Sequence, residues 1–302
     1  DRAGVWAAEC GALHVAHAPD EDAVLREFAE LAGPRDIQAE YLSRAATLAR
    51  FPAVNPDGLC GALYSPTELA VNPPDAIARL QRFLKEAHDV QLRLGETVTA
   101  VEMPRVRTAS GDVWRAGRVF VCSGADFETL FPEAFAASGI RRCKLHMMKT
   151  GPQPNSWRLG THLAGGLTLC HYKAFELCSS LPALKKRIGE TMPEYVKYGI
   201  HVMAAQNDRG EVVIGDSHEY DTDISLFDKA EIDELILKQL RAMLDLPDWS
   251  LAARWHGIYA KHPTKHFVTA EPQPGCVLAV APGGLGMTMS FALAEDWWDA
   301  NA

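Results

Sequence analysis

The sequence predicts a mixed α/β fold built on an open sheet. The apolar run Cys276–Ala281 is typical of a buried strand and ends at the glycine-rich turn 282–286, after which apolar residues recur at helical spacing from Thr288. A second apolar run, Arg118–Ala125, also ends in a glycine turn. Two such turns at the carboxyl ends of strands predict a crevice for a large ligand, with a helix N-terminus donating N–H groups.

The first 70 residues are expected to form three helices and two strands. The opening residues 1–10 resemble the middle of a helix, and Gly11–His17 alternates as a strand does. Residues 20–32 place apolar side chains on one side of a helix, and 41–50 fit a second short helix. Gly61–Tyr64 is predicted to be a strand.

The stretch from 72 to 149 alternates between strand and helix signals. Asn72 is followed by two prolines, which favours a helix start, and this helix is expected to reach about residue 87. Strands are predicted at Val98–Val101, at Val119–Cys122 and at Ile140–Lys149, with a hairpin turn at 108–112. A strand, helix and strand in this order fit a parallel or mixed sheet.

The stretch from 165 to 259 carries a hairpin and a long helix. Gly165–Lys173 fits a strand leading into a helix, and strands 199–205 and 211–215 flank a turn sequence. Residues 227–246 keep one apolar face at helical spacing, and 250–259 is predicted to be a strand.

Composition narrows the functional class. With 302 residues, of which 47% are hydrophobic, the chain is able to bury a substantial core. The formal net charge of −9 argues against a nucleic-acid or anionic-membrane partner, and no apolar stretch approaches the roughly 20 residues that span a bilayer. Seven scattered cysteines indicate neither a disulfide framework nor a zinc site, so we expect a reducing cytoplasmic location.

Polar residues in the second half of the chain are the candidates for chemistry. They are His171, Tyr172, His201, Trp255, His256, Tyr259, Lys261, His262, Lys265 and His266. His171 and His201 lie in apolar patterns, for which a hydrogen-bonded core histidine is the default explanation. For the cationic run 259–266 the default is a solvated loop, and the alternative is an anion clamp that faces the cofactor crevice. His256, His262 and His266 lack carboxylate or cysteine support, so we predict no metal site.

Six short stretches occur in an order that resembles the glycine, sarcosine and D-amino-acid oxidase family of FAD-dependent enzymes. They are Asn72-Pro-Pro before a helix, Val98–Val101, Phe120–Ala125, the hairpin strand 211–215, Trp255–Tyr259 and Gly283–Ser290. Within that family, the His171–Phe175 stretch, Trp-x-Gly-Ile-Tyr and Gly-Met-Thr resemble a clade proposed to oxidise aminophosphonates related to 2-aminoethylphosphonate.

The resemblance implies a dinucleotide-binding (Rossmann-like) FAD domain interleaved with a mixed-sheet substrate domain. The substrate domain would comprise residues 1–70 and 131–271, and the FAD domain residues 71–130 and 272–302. The cofactor contacts that it implies are Val98, Ser123, Gly124, Gly284, Gly286, Met287 and Thr288. It further implies that His201 and Tyr259 are catalytic and that His171, Lys261, His262 and Thr288 bind substrate.

Three departures from the family pattern carry further expectations. The Gly-x-Gly-x-x-Gly fingerprint that opens the family is missing from this chain, so the FAD domain is expected to be incomplete at its N-terminus, through truncation or loss. Tyr259 stands where amino-acid oxidases place an arginine for the substrate carboxylate, which favours a phosphonate or another anion. Gly257 stands near the place where sarcosine oxidases carry a flavin-linking cysteine, so noncovalent FAD is expected.

The function that the resemblance implies is oxidation of the C–N bond of a small anionic amine. A hydride would pass from the carbon bearing the amine to flavin N5, and water would hydrolyse the resulting imine. Molecular oxygen or another acceptor would reoxidise the flavin. Two alternatives stay open: an amino-acid or sarcosine-type oxidase, and a non-catalytic form unable to hold FAD. The sequence leaves the oligomeric state open.

Overall fold

A computed structural model describes residues 2–280 and 283–301. Its helices are α1 (Pro19–Ala32), α2 (Arg44–Arg50), α3 (Pro73–His88), α4 (Pro132–Ser138), α5 (Gly166–His171), α6 (Leu181–Thr191), α7 (Pro193–Lys197), α8 (Ala230–Met243) and α9 (Gly286–Asn301). Ala281 and Pro282, where the last predicted strand meets its glycine turn, lie outside the described residues. Among the described helices, none has both the length and the apolar character that a membrane crossing requires.

The described strands are short apart from two long ones. They are β1 (Ala7–Glu9), β2 (Ala12–Ala16), β3 (Glu40–Ser43), β4 (Gly61–Ser65), β5 (Leu69–Val71), β6 (Val98–Glu102), β7 (Arg105–Thr108), β8 (Val113–Arg115), β9 (Val119–Val121), β10 (Arg141–Pro152), β11 (His162–Ala164), β12 (Met203–Gln206), β13 (Glu211–Gly215), β14 (Glu219–Asp221), β15 (Leu251–Lys261), β16 (Val268–Gln273) and β17 (Cys276–Val280).

The chain forms two compact units, each made of three stretches. Unit 1 contains residues 1–90, 145–218 and 227–256, and unit 2 contains residues 91–144, 219–226 and 257–302. These units differ from the predicted segments. Residues 71–90, predicted for the FAD domain, belong to unit 1, and residues 131–144 and 257–271, predicted for the substrate domain, belong to unit 2. The division into compact units does not show where a cofactor or substrate binds, so the assignment of segments to an FAD domain and a substrate domain stays a prediction.

Unit 1 is built on a mixed sheet in the order β3, β4, β2, β11, β12, β13, β10. The pairs are antiparallel except β2 with β11, which run parallel with Leu13 opposite Leu163. Strands β12 and β13 form the predicted hairpin, with Ala204 opposite Ile214. This hairpin places the residues just before β12 beside those just after β13.

The core of unit 1 lies between this sheet and its helices. Leu13 of β2 packs in one cluster with Leu25 of α1, Leu184 of α6 and Ile236 of α8, and all four are fully buried. Each such side chain contributes about 1.5 to 3 kcal/mol relative to exposure. The apolar periodicity of α1 and α8 therefore reflects their packing against the sheet.

Unit 2 contains two three-stranded sheets. Strands β6, β7 and β8 form an antiparallel sheet, and β16, β17 and β9 form the other. In the second sheet β17 runs parallel to β9, with Val277 opposite Phe120. The core packs Val121 and Leu278 of these strands against Phe127 and Phe135.

Three of the predicted elements differ from the structure in type or in extent. Residues 7–9, expected in a helix, form β1 and pair with β5. Residues 40–43 form β3, so the predicted helix 41–50 is shortened to α2, which Ser43 caps by accepting the Ala46 N–H. In 165–173, expected to be a strand leading into a helix, residues 166–171 form the helix α5.

Candidate functional site

Three histidines of unit 1 come together in the histidine cluster, defined as His171, His201 and His218. His171 ends α5, His201 precedes β12, and His218 follows β13. The ring centroids lie 3.9 Å apart for His171 and His201, 4.6 Å for His171 and His218, and 4.9 Å for His201 and His218. The rings of His201 and His218 are buried, at 3% and 7% exposure, and His171 is half-buried.

The backbone around the β12–β13 hairpin explains this convergence. The His201 N–H donates to the Asp216 carbonyl at 3.2 Å, and the Asp216 N–H donates to the His201 carbonyl at 2.9 Å. The His218 N–H donates to the Tyr198 carbonyl at 2.9 Å. Gly199 has a φ of +54°, and a Cβ there would lie 3.0 Å from the His218 Cβ. Only glycine fits this approach without strain.

A carboxylate and a phenol adjoin the histidine cluster. Oδ1 of Asp216 lies 3.2 Å from His201 Nε2, and Oδ2 lies 3.9 Å from His218 Nε2. The Tyr172 ring lies 5.3 Å from His171 and 5.8 Å from His201. Burial, and then the Asp216 charge, raise the pKa of the Tyr172 hydroxyl. The cluster thus combines imidazole, phenol and carboxylate groups in a largely buried place.

The second candidate region is the glycine edge of unit 2, defined as Ser123, Gly124, Gly283, Gly284 and Gly286. Because β9 and β17 are parallel neighbours, their carboxyl ends meet at one edge of the sheet. Gly124 and Gly283 have positive φ values of 63° and 60°. A Cβ at Gly124 or Gly284 would meet no atom within 4 Å, and α9 begins at Gly286. The edge therefore offers open space beside a helix N-terminus.

Cationic and phenolic side chains of β15 also belong to unit 2. Tyr259 and Lys261 are two residues apart and share one face of the strand. A Cβ at Gly283 would lie 4.0 Å from Lys261 Cγ, so this lysine borders the glycine edge. Lys261 Nζ donates to the Tyr220 hydroxyl at 3.1 Å. His262 Nδ1 accepts the Thr264 and Lys265 N–H groups, which fixes its ring in a turn.

The structure brings some of the predicted residues together. His171 and His201 are in contact in unit 1, whereas Tyr259 is half-buried on β15 in unit 2. Val98 opens β6 and packs on the core of unit 2. Met287 and Thr288 are exposed in the first turn of α9.

Asp216 and His218 are site residues that the sequence analysis missed. Both follow directly on β13, and polar side chains after a buried strand are the signal that would have indicated them. The histidines considered for a metal site were others: His256 contacts Asp228 at 2.9 Å, and His262 holds its own turn. The ring nitrogens that lie within 4.8 Å of one another belong to the histidine cluster.

Unit 2 places the glycine turns of two parallel strands beside a helix N-terminus, an arrangement typical of nucleotide-cofactor enzymes of the α/β class. Residues 4–297 match the family model described as DAO, FAD dependent oxidoreductase. The chain belongs to this family of FAD-dependent oxidoreductases, and the predicted fold class, enzyme class and FAD cofactor are confirmed. Comparison with curated protein sequences gave no match.

Solved structures of several oxidases and dehydrogenases share the fold. Glycine oxidase from Geobacillus kaustophilus superposes with a TM-score of 0.71 at 14% identity, covering 95% of this chain and 69% of that one. L-proline dehydrogenase from P. horikoshii gives 0.70 at 17%, covering 97% and 72%. L-α-glycerophosphate oxidase from Mycoplasma pneumoniae, with FAD bound, gives 0.67 at 15%, covering 97% and 72%. At these identities the similarity concerns the fold.

The glycine edge is compatible with FAD. Its open space at Gly124 and Gly284 leaves room for a bound group to approach the backbone. The first N–H groups of α9 have no partner within a helix and favour an electron-rich ligand atom. Lys261 adds a cation beside Gly283. These donors suit the pyrimidine oxygens or the phosphates of a flavin nucleotide.

Proposed function

We propose that this protein oxidises the C–N bond of a small anionic amine, and that its substrate is an aminophosphonate related to 2-aminoethylphosphonate. The observation that carries the proposal is the family match over residues 4–297, which supplies the FAD chemistry. The substrate class rests on the polar groups of this chain. The seven cysteines are free, which is consistent with a reducing compartment such as the cytoplasm.

The cofactor is proposed to bind noncovalently at the glycine edge. FAD, when bound, supplies a two-electron acceptor for the carbon that bears the amine. Ser123 and Gly124 at the end of β9, and Gly284, Gly286, Met287 and Thr288 around the start of α9, would hold it through backbone groups. Val98 would contact its adenine side. The α9 N-terminus would stabilise negative charge that gathers on the ring.

Polar side chains of each unit are proposed substrate contacts: His171 and His201 in unit 1, and Tyr259, Lys261, His262 and Thr288 in unit 2. His171 and His201 provide polar nitrogens in a largely buried place, which favours a small charged ligand over an apolar one. Lys261 provides a cation, and Tyr259 on the same strand face provides a phenol. His262 and Thr288 are further proposed donors. A phosphonate has three oxygens and accepts from several such donors at once.

Anaerobic mixing of the flavin-loaded protein with candidate amines tests the proposal. We expect 2-aminoethylphosphonate, its N-methyl or its 1-hydroxy derivative to bleach the flavin absorbance within minutes, and glycine or sarcosine to bleach it far more slowly. Bleaching by glycine or sarcosine alone would establish the amino-acid or sarcosine-type alternative. Flavin that is lost from the protein during gel filtration would support the non-catalytic alternative.

Matched variants test the proposed anion contact. Lys261→Gln removes a cation beside Gly283, whereas Lys265→Gln removes an exposed one in the segment that follows β15. We expect Lys261→Gln to raise the substrate concentration for half-maximal bleaching about tenfold or more, as for a lost charged hydrogen bond of about 1.5 to 3 kcal/mol. Lys265→Gln is expected to change it little. Equal effects of the two variants would contradict the assignment of Lys261.

The electron acceptor follows from the same preparation. Molecular oxygen is the proposed acceptor, so admitting air to the bleached protein should restore the flavin absorbance and release hydrogen peroxide. Restoration by a quinone dye alone would identify a dehydrogenase instead.

A further inference from the structure

The histidine cluster brings three imidazole groups to one place in unit 1. His171, His201 and His218 come from three separate stretches of the chain, and one ring nitrogen of each lies within 4.8 Å of the others. Two of the three rings are buried almost completely. Imidazole is the commonest nitrogen ligand of transition metals in proteins.

The hydrogen bonds of the cluster fix which nitrogen of His218 faces inward. His218 Nδ1 lies 3.0 Å from the Gly199 carbonyl, and because a carbonyl oxygen only accepts, Nδ1 carries the hydrogen. In neutral His218 the lone pair is then on Nε2, which lies 3.9 Å from Oδ2 of Asp216. Metal-binding histidines typically anchor their outer N–H to a backbone carbonyl or carboxylate in this way.

Asp216 supplies the negative charge that such a site needs. Its two oxygens lie 3.2 Å from His201 Nε2 and 3.9 Å from His218 Nε2. In a tetrahedral zinc site with bonds of about 2.0 to 2.1 Å, neighbouring ligand atoms are about 3.3 Å apart. The shorter of the two Asp216 distances, 3.2 Å, is close to this spacing.

We infer that His171, His201 and His218, together with the Asp216 carboxylate, bind one divalent transition-metal ion of the Zn²⁺ class. Three imidazole nitrogens and one carboxylate oxygen form a ligand set that suits Zn²⁺. Co²⁺ binds in the same kind of site and gives a visible absorption spectrum. His171 is half-buried at the end of a short helix. The inference goes beyond the proposed oxidation, which requires no metal.

Metal binding to the full chain, freed of metal by a chelator, tests this site without reference to activity. We expect calorimetry with ZnCl₂ to show one ion bound per chain at micromolar or lower concentration, and CoCl₂ to give a visible absorption typical of tetrahedral nitrogen and oxygen ligands. His218→Asn and Asp216→Asn are each expected to weaken Zn²⁺ binding at least tenfold.

His88→Asn is the matched control, because His88 is exposed at the end of α3 and lies outside the cluster. It is expected to bind Zn²⁺ as the parent chain does. Since a cluster variant can also fold poorly, circular dichroism accompanies each titration, and His171→Asn at the half-buried position serves as a second cluster variant. No Zn²⁺ binding by the parent chain, or equal binding by all variants, would overturn the inference.

The outcome for the metal is separate from that for the substrate. If flavin bleaching by an aminophosphonate proceeds equally in the metal-free chain and Zn²⁺ does not bind, the metal site is wrong and the proposed oxidation stands. If Zn²⁺ binds as expected but the aminophosphonates do not bleach the flavin, the metal site stands and the proposed substrate is wrong.

Discussion

Glu27 shows how a single side chain ties two helices of unit 1 together. Its carboxylate, on α1, accepts the N–H and hydroxyl groups of Ser179 and Ser180, at distances from 2.6 to 2.9 Å. Ser180 is the residue before α6, so the charge also lies at the positive end of that helix. These hydrogen bonds, those from Ser180 first, lower the pKa of Glu27 to about 2.

The first prediction follows from this lowered pKa. Because the folded pKa lies below the ordinary carboxyl value, the ionised Glu27 stabilises the fold fully above about pH 4.5, and this contribution is lost as the pH falls towards 2. Glu27→Gln should therefore lower the Tm at pH 7, and the difference from the parent chain should shrink below about pH 4.5. Thermal unfolding followed by circular dichroism measures both.

Glu30→Gln is the control for this prediction. Glu30 lies on the same helix but is exposed, so its replacement should leave the Tm close to that of the parent chain. A loss of Tm in Glu27→Gln that stays constant between pH 7 and pH 3 would show that the charge of Glu27 is not the cause.

At the level of single residues, the sequence predicted part of the candidate site. His171 and His201 were candidates because they interrupt apolar patterns, and they do lie in contact. Asp216 and His218 were not, since a carboxylate or histidine after a strand is common on protein surfaces. Only the backbone pairing of His201 with Asp216, across 15 residues of chain, brings these groups together.

At the scale of helices and strands, the testable prediction concerns two glycines. Gly11, between β1 and β2, has a φ of +67°, and a Cβ there would lie 2.5 Å from the Ser65 carbonyl oxygen. Gly33, at the end of α1, has a φ of −54° and free space around it. Alanine at position 11 must therefore displace backbone, whereas alanine at position 33 continues a helical conformation.

We expect Gly11→Ala to lower the free energy of unfolding by about 2 to 4 kcal/mol, from the strained φ and the overpacked strand pair. Gly33→Ala is expected to change it little or raise it by up to about 1 kcal/mol. Urea unfolding of both variants measures the difference. Equal free energies of unfolding for the two variants would mean that the backbone of β1 and β2 adjusts more easily than the close contact with the Ser65 carbonyl oxygen indicates.

Most helices and strands were predictable because the spacing of their apolar residues reflects which of their faces is buried. Residues 230–243 keep their apolar face towards the core, as the spacing predicts. The errors have a different origin, because 40–43 and 7–9 become strands by pairing with β4 and β5, which local spacing does not report. Tertiary pairing overrides helix propensity in both.

For the whole molecule, the net charge of −9 predicts the salt dependence of substrate capture. An anionic amine approaches a chain of the same sign, and added salt screens this repulsion. We expect kcat/KM for an aminophosphonate to rise by a factor on the order of two between 10 and 200 mM NaCl. Initial rates under air measure it, with potassium sulfate at equal ionic strength as the control. A fall with salt would indicate that local cations such as Lys261 outweigh the net charge.

The sequence also predicted one contact that spans the chain. The strands that end at Ser123-Gly124 and at Gly283-Gly284 were expected to be neighbours, and the parallel pairing of β9 with β17 confirms it. The signal for this contact was that both strands end in a glycine turn. The location of the cofactor and substrate segments stays a prediction, because burial and pairing do not reveal which ligand a region binds.

The threading of the chain through three stretches of each unit limits how the molecule can be taken apart. A single cut by a protease cannot separate the two units, because at least one of the two fragments carries pieces of both. A gene for unit 1 alone would need its three stretches rejoined by artificial linkers. Exchange of one unit with that of a related enzyme would likewise require several simultaneous crossovers, so divergence within this fold is expected to proceed by substitution and loop change.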